Sequence, residues 1–167
     1  MASNASFDIS TGADLQEVDN AVNQAMKEVR QRYDFRGSNC TITFNRAGAA
    51  LTLEADDDFR MKALWDVLQT KLIRRKVPLE NAKAGEDTPS GGGRIRREVT
   101  FMQGIPEDIA RKIVKDVKAQ GYKRTQVAIQ GDELRVTSPS RDILQEVITF
   151  VRSQDYGIEL TFGNYRS

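Results

Sequence analysis

An α+β fold built from two copies of one strand–helix–strand–strand–helix–strand unit is predicted by three observations. Along the 167-residue chain the hydrophobic spacing switches repeatedly between two residues and about 3.6, which marks alternating strands and helices. A Gly/Pro/Ser stretch, residues 85–93, with Pro89, Ser90 and the triple glycine Gly91–Gly93, parts the chain into two halves. The halves also share their apolar positions: Leu51, Leu53, Met61, Leu64, Trp65 and Leu68 fall on Leu134, Val136, Leu144, Val147, Ile148 and Val151 at one offset. Amphipathic helices often match by chance, but a strand, a gap and a helix kept in step point to a duplication.

Each element has a local reason. Ser6 to Ser10 alternates, with Phe7 and Ile9 on one face, as a half-buried strand does. Asp14 is placed to cap a helix whose core-facing stripe is Leu15, Val18, Val22, Ala25, Val29 and Tyr33. Thr41 to Asn45 and Leu51 to Glu54 form a hairpin around Gly48, with Ile42, Phe44, Leu51 and Leu53 inward. Asp56, Asp57 and Asp58 open a second helix that ends in Lys71, Arg74, Arg75 and Lys76, an order of charge that suits the helix dipole.

Beyond the linker the pattern repeats. Arg94 to Phe101 reads as a strand, and Pro106 starts a helix bearing Ile109, Ile113, Val114 and Val117. Gln126 to Gln130 and Glu133 to Thr137 form a hairpin around Gly131-Asp132, a helix carries Leu144, Val147, Ile148 and Val151, and Ile158 to Phe162 is the last strand. A βαββαβ unit closes as an antiparallel sheet with both helices on one face, the ferredoxin-like arrangement. The expected organisation is therefore a unit at 1–84, a linker at 85–93 and a second unit at 94–167. The first copy lacks an evident final strand, because Val77 to Ala84 is short and broken by Pro78. Strand exchange between the copies follows from that, involving Ser6–Ser10 and Arg94–Phe101.

Composition narrows the chemistry. Hydrophobic residues at 39% and charged residues at 29% describe a globular protein, and no segment approaches the roughly 20 apolar residues of a membrane helix. With no secretory signal at the start, a soluble cytoplasmic protein is expected. The chain has no histidine and one cysteine, Cys40, which removes histidine-based triads, zinc held by histidines or by four cysteines, and internal disulfides. The net charge of +1 supplies no bulk attraction for nucleic acid. Consecutive aspartates point in different directions, so Asp56–Asp58 reads as helix capping rather than as a Mg2+ site for a phosphodiesterase. The Gly91–Gly93 run is followed by a strand without a Lys-Ser or Lys-Thr pair, and so is no P-loop. No catalytic residue, metal or cofactor is expected.

Binding is a better match. By alternation the free sheet faces carry hydroxyls, amides and arginines but no aromatic, which disfavours base stacking there. Arg94, Arg96 and Arg97 follow the flexible glycines, and the planar guanidinium suits phosphate. At Tyr33-Asp34-Phe35-Arg36-Gly37 two readings are open: a wedge closing the first helix, or an aromatic that stacks a purine while Arg36 takes a phosphate.

The same residues carry a resemblance. Ser6-Phe7-Asp8-Ile9, Tyr33 to Gly37, Asp57-Asp58-Phe59, Gln69 to Ile73, Gln130-Gly131-Asp132, Val136-Thr137, Ser140-Arg141-Asp142 and Phe162 to Arg166 together resemble the bacterial YajQ family of nucleotide-binding proteins. The resemblance spans essentially the whole chain. It implies two ferredoxin-like domains with exchanged N-terminal strands, binding of nucleotides and RNA, a receptor role for cyclic di-GMP in some members, and no catalysis. The chain departs from the family pattern at Ser138-Pro139-Ser140, which stiffens a loop, and around Lys76-Val77, where a glycine is usual. Chemistry rather than the resemblance selects the contacts: Arg36, Arg94, Arg96 and Arg141 for phosphate and Phe35 for stacking. The expected partner is a nucleotide (cyclic di-GMP, GTP or ATP), the alternative being an adaptor for RNA or another protein; no membrane is expected.

Overall fold

The computed structural model describes residues 4–167. They divide into two compact units, Ala13–Met102 and a second assembled from the segment ending at Gly12 together with Gln103–Ser167.

The unit at Ala13–Met102 starts with α1 (Leu15–Gln31), whose first amides are capped by Asp14: its carboxylate accepts from Gln16 N at 3.0 Å and Glu17 N at 3.4 Å. Such a cap is worth about 1 kcal/mol. Strands β2 (Thr41–Asn45) and β3 (Ala50–Ala55) form the expected hairpin, with Ile42 opposite Leu53 and Phe44 opposite Leu51. Helix α2 (Asp58–Arg74) is capped by Asp57, which accepts from Arg60 N at 2.8 Å. Next come β4 (Ala82–Ala84), the two-residue β5 (Thr88–Pro89) and β6 (Ile95–Phe101). The antiparallel sheet runs β2-β3-β6-β4, and β5 also pairs with β6. The segment read as a linker thus contributes a short strand to this sheet. Both helices lie on one side, where Val18, Ala25, Leu51, Leu53, Leu64, Leu68 and Val99 are wholly buried. Each large aliphatic side chain in this core contributes about 1.5–3 kcal/mol.

The other unit joins β1 (Ala5–Ser10) to α3 (Glu107–Ala119), β7 (Gln126–Gln130), β8 (Glu133–Ser138), α4 (Arg141–Ser153) and β9 (Thr161–Arg166). Its antiparallel sheet runs β7-β8-β1-β9, with Phe7 opposite Val136 and Ile9 opposite Leu134. Ser140 caps α4 by accepting from Ile143 N at 3.2 Å. The strand that opens the chain therefore pairs with strands from its last third, and β6 pairs with β3 and β4.

Two sequence expectations are corrected. Tyr33 does not continue the buried stripe of α1: Arg32 is extended, the helix ends at Gln31, and Tyr33–Phe35 forms a 3-10 turn that points Tyr33 outward and Phe35 inward. The last strand begins at Thr161 rather than Ile158. Gly157 adopts a φ of 76° and donates to the Asp155 carboxylate, so the chain turns, buries Ile158 and only then reaches β1, where Thr161 faces Ser10.

Candidate functional site

One end of the Ala13–Met102 unit gathers most of the residues singled out from the sequence. After Phe35 the chain runs extended through Arg36, and Gly37 takes the left-handed φ of 76° that glycine adopts without strain. Asn39 N then donates to both oxygens of Asp56, at 3.1 and 3.0 Å, which fastens this turn to the start of α2. Arg94 reinforces the joint. One of its terminal nitrogens donates to the Asn39 carbonyl, the other to Glu54 Oε2 at 3.3 Å, and its Nε lies 3.8 Å from Asp56 Oδ1. Ser90 Oγ donates to the same Glu54 oxygen at 2.8 Å, while Arg96 Nη2 stands 3.6 Å from Glu54 Oε1.

The roles of the five residues differ accordingly. Phe35 is 4% exposed and packed in the core under the Arg32 guanidinium, 5.3 Å from its ring centroid, so its faces are covered and cannot stack a base. Arg94 is consumed in holding the loop. Arg36 is exposed and has no ion-pair acceptor among the described residues. Arg96 is 47% exposed with only a long contact to Glu54. Arg141 belongs to the other unit, at the start of α4, where it donates to Ser167 Oγ at 2.6 Å.

The sequence reading missed the two aromatics that are open at this end. Tyr33 is 83% exposed and Phe59, in the first turn of α2, is 72% exposed. A signal existed for Phe59, because Met61, Leu64 and Leu68 define the buried stripe of α2 and position 59 lies off it. Arg32 and Arg60 adjoin these two aromatics in sequence, and each is held by an acid. Arg32 donates to Asp34 from Nε at 2.9 Å and Nη2 at 2.6 Å, and Arg60 donates to Asp57 at 2.8 Å. The Asp34 carboxyl is held below its ordinary value by the Arg32 hydrogen bonds, with the charge of Arg60 adding to the effect.

The free sheet face of the other unit carries a polar cluster. Asp8 accepts from Arg135 Nε at 2.9 Å and from the Asn164 amide at 2.5 Å, beside a cavity of about 330 Å3 that Gln130 and Glu133 also line. Among the described residues there is no group of acids and cysteines able to hold a metal ion, and no helix is long and apolar enough to cross a membrane.

A family model described as nucleotide-binding protein YajQ-like matches residues 5–166. The chain belongs to this family. Its similarity to individual YajQ-like relatives extends end to end. It is 46% identical over 161 residues to a nucleotide-binding protein of Magnetococcus marinus, covering 96% of this chain and 98% of the relative. It is 42% identical over 167 residues to one of Koribacter versatilis, covering 100% and 99%. A nucleotide-binding protein of Frankia casuarinae is 45% identical over 161 residues, again covering 96% and 98%. In this YajQ-like chain the exposed Tyr33–Phe59 end therefore combines open aromatic faces with arginine inside a family named for nucleotide binding.

Proposed function

We propose that the chain is a non-catalytic, cytoplasmic nucleotide-binding protein whose ligand rests on Tyr33 and Phe59, with Arg36 and Arg96 taking its phosphates. One observation carries the reading: among the described residues, the two most exposed large apolar side chains stand on two turns fastened together by Asn39 and Asp56, next to an arginine without an ion-pair acceptor. Exposed aromatic faces cost solvation in isolation and gain about 1–3 kcal/mol by stacking a base. Arg94 serves as the strut that keeps Arg36 and Arg96 on one corner.

Cyclic di-GMP is the ligand put forward, since two purines match two aromatic faces and two phosphodiesters match two available arginines. GTP and ATP offer one purine each and should bind more weakly. The function of such a protein is to report ligand occupancy to a partner, so no turnover is expected. Calorimetry with cyclic di-GMP, GTP and ATP tests the reading: saturable binding that Tyr33→Ser/Phe59→Ser weakens is expected, and no heat with any of the three up to millimolar concentration would end it. Single-stranded RNA would use the same stacking chemistry, and a steep loss of affinity with salt on RNA, with little response to mononucleotides, would shift the assignment to RNA.

A further inference from the structure

The outward groove between α1 and α2 is lined almost wholly by charged and amide side chains. Gln24, Lys27, Glu28 and Gln31 stand at spacings of three and four along α1 and so share one wall; Lys71, Arg74 and Arg75 form the other. The groove encloses about 510 Å3. Four cations face a single lining carboxylate.

Two of those cations are already committed to structure. The Lys71 ammonium, 12% exposed, lies 3.0 Å from Glu28 Oε1, and Arg75 donates to Glu17 from Nε at 2.8 Å and from Nη2 at 3.0 Å. These pairs cross between the two helices. Lys27 and Arg74 remain exposed on opposite walls, and among the described residues neither has an ion-pair acceptor. The carbonyl end of α2 offsets only about half a unit charge, too little to neutralise them.

We propose that this groove is an anion site, separate from the aromatic end, that takes a short oligophosphate: an anion carrying several phosphoryl groups in a row. The guanidinium of Arg74 matches two oxygens of one phosphoryl group, and Lys27 supplies a point charge for another. An anion with one charged group satisfies one wall only, whereas a chain of phosphoryl groups bridges both. An acidic peptide would need an apolar anchor, and the lining offers no aromatic or branched aliphatic side chain. The amides of Gln24 and Gln31 add neutral donors along the same track. The inference stands independently of the nucleotide reading.

Sodium tripolyphosphate titrated calorimetrically into the full chain at low ionic strength is the test. Saturable binding is expected, weakened about tenfold or more in Lys27→Gln/Arg74→Gln, whose exposed side chains leave the melting temperature unchanged. Arg30→Gln/Lys62→Gln removes the same charge outside the groove and should leave binding intact, as should Tyr33→Ser/Phe59→Ser. Glu28→Gln should tighten binding, which supplies a gain-of-affinity variant should the double mutant fold poorly. Displacement of tripolyphosphate by ATP but not by adenosine would identify a nucleotide's phosphate tail as the occupant, and no displacement by ATP a base-free oligophosphate. No saturable heat up to millimolar concentration, or equal losses from the groove pair and the control pair, would overturn the proposal.

Discussion

Asp8 and Arg135 sit directly opposite each other on β1 and β8, 127 residues apart in sequence, and are joined by a two-pronged ion pair with the guanidinium Nε 2.9 Å and Nη2 3.4 Å from the carboxylate oxygens. The pair ties the first strand of the chain into a sheet otherwise made from its last third. The Arg135 and Asp8 side chains are 28% and 12% exposed, so removing one partner leaves the other without its counter-charge.

Replacing Arg135 with Met should lower stability at pH 7, read from urea unfolding. The Asp8 carboxyl lies below its ordinary 3.8 because Arg135 donates to it, with Asn164 and the charge of Arg166 assisting and burial opposing. A lowered folded value means that the unfolded chain binds the proton more readily. The stability from the pair is therefore complete above about pH 3.8 and drains away as the pH falls toward the folded value. The gap between wild type and Arg135→Met should shrink between pH 5 and pH 2.5; an unchanged gap would remove the ion pair as its cause.

The three aromatics near the end of α1 and the start of α2 separate stability from binding. Phe35 fills the core, so Phe35→Ala should cost about 3–5 kcal/mol in unfolding free energy. Tyr33→Ser and Phe59→Ser remove exposed rings and should each change stability by less than about 0.5 kcal/mol. On the proposed reading the pair together weakens nucleotide binding about tenfold or more, since one lost stack is worth about 1–3 kcal/mol. Loss of binding in Phe35→Ala at temperatures where it stays folded, with Tyr33→Ser/Phe59→Ser unaffected, would reverse the assignment.

The same turn shows how far the sequence could be read. The inward faces of β1, β2, β3 and β8 were legible because alternation is local, whereas Ile129 on β7 is exposed, and the caps Asp14 and Asp57 stand where their side chains predict. Tyr33 was misread because it falls on the apolar spacing of α1, and spacing alone does not show that Arg32 leaves the helix. The division of labour among Arg36, Arg94 and Arg96 was equally out of reach. It depends on Glu54, Asp56 and Asn39, which meet only once β3, β6 and the turn after α1 are assembled.

Gly104 makes a prediction about backbone approach. A Cβ added there would stand 2.6 Å from Asp132 Cβ, in the loop whose carbonyl accepts from Ile105 N at 2.9 Å. The carboxylate of Asp132 can swing aside but its Cβ is fixed to the backbone, so Gly104→Ala must push the β7–β8 turn away from the start of α3. A loss of about 1–3 kcal/mol is expected, and removing the opposing side chain in Gly104→Ala/Asp132→Gly should recover part of it. Calorimetric melting of the two variants checks both statements, and an unchanged melting temperature for Gly104→Ala would contradict the close contact.

At alkaline pH Tyr156 contributes a pH-dependent part of the stability, as Tyr122 does through its own burial. The Tyr156 hydroxyl donates to Asp116 Oδ2 at 2.8 Å, which links the segment after α4 to α3. Burial raises its pKa well above the ordinary 10.0, because the phenolate would lose water, and the neighbouring Asp116 carboxylate raises it further by accepting the proton in a hydrogen bond and repelling the anion. A raised folded value stabilises the protein fully below pH 10. Above that the unfolded chain ionises while the folded one holds its proton, so stability falls as the pH climbs. Tyr156→Phe has no phenol to ionise and should lose less stability than the wild type between pH 9.5 and pH 11, although at pH 7 it starts lower by about 1 kcal/mol for the lost hydrogen bond. The ultraviolet titration of the phenolate gives a second reading: of the four tyrosines, Tyr122 and Tyr156 should ionise late, Tyr156 last, and that latest transition should be missing in Tyr156→Phe.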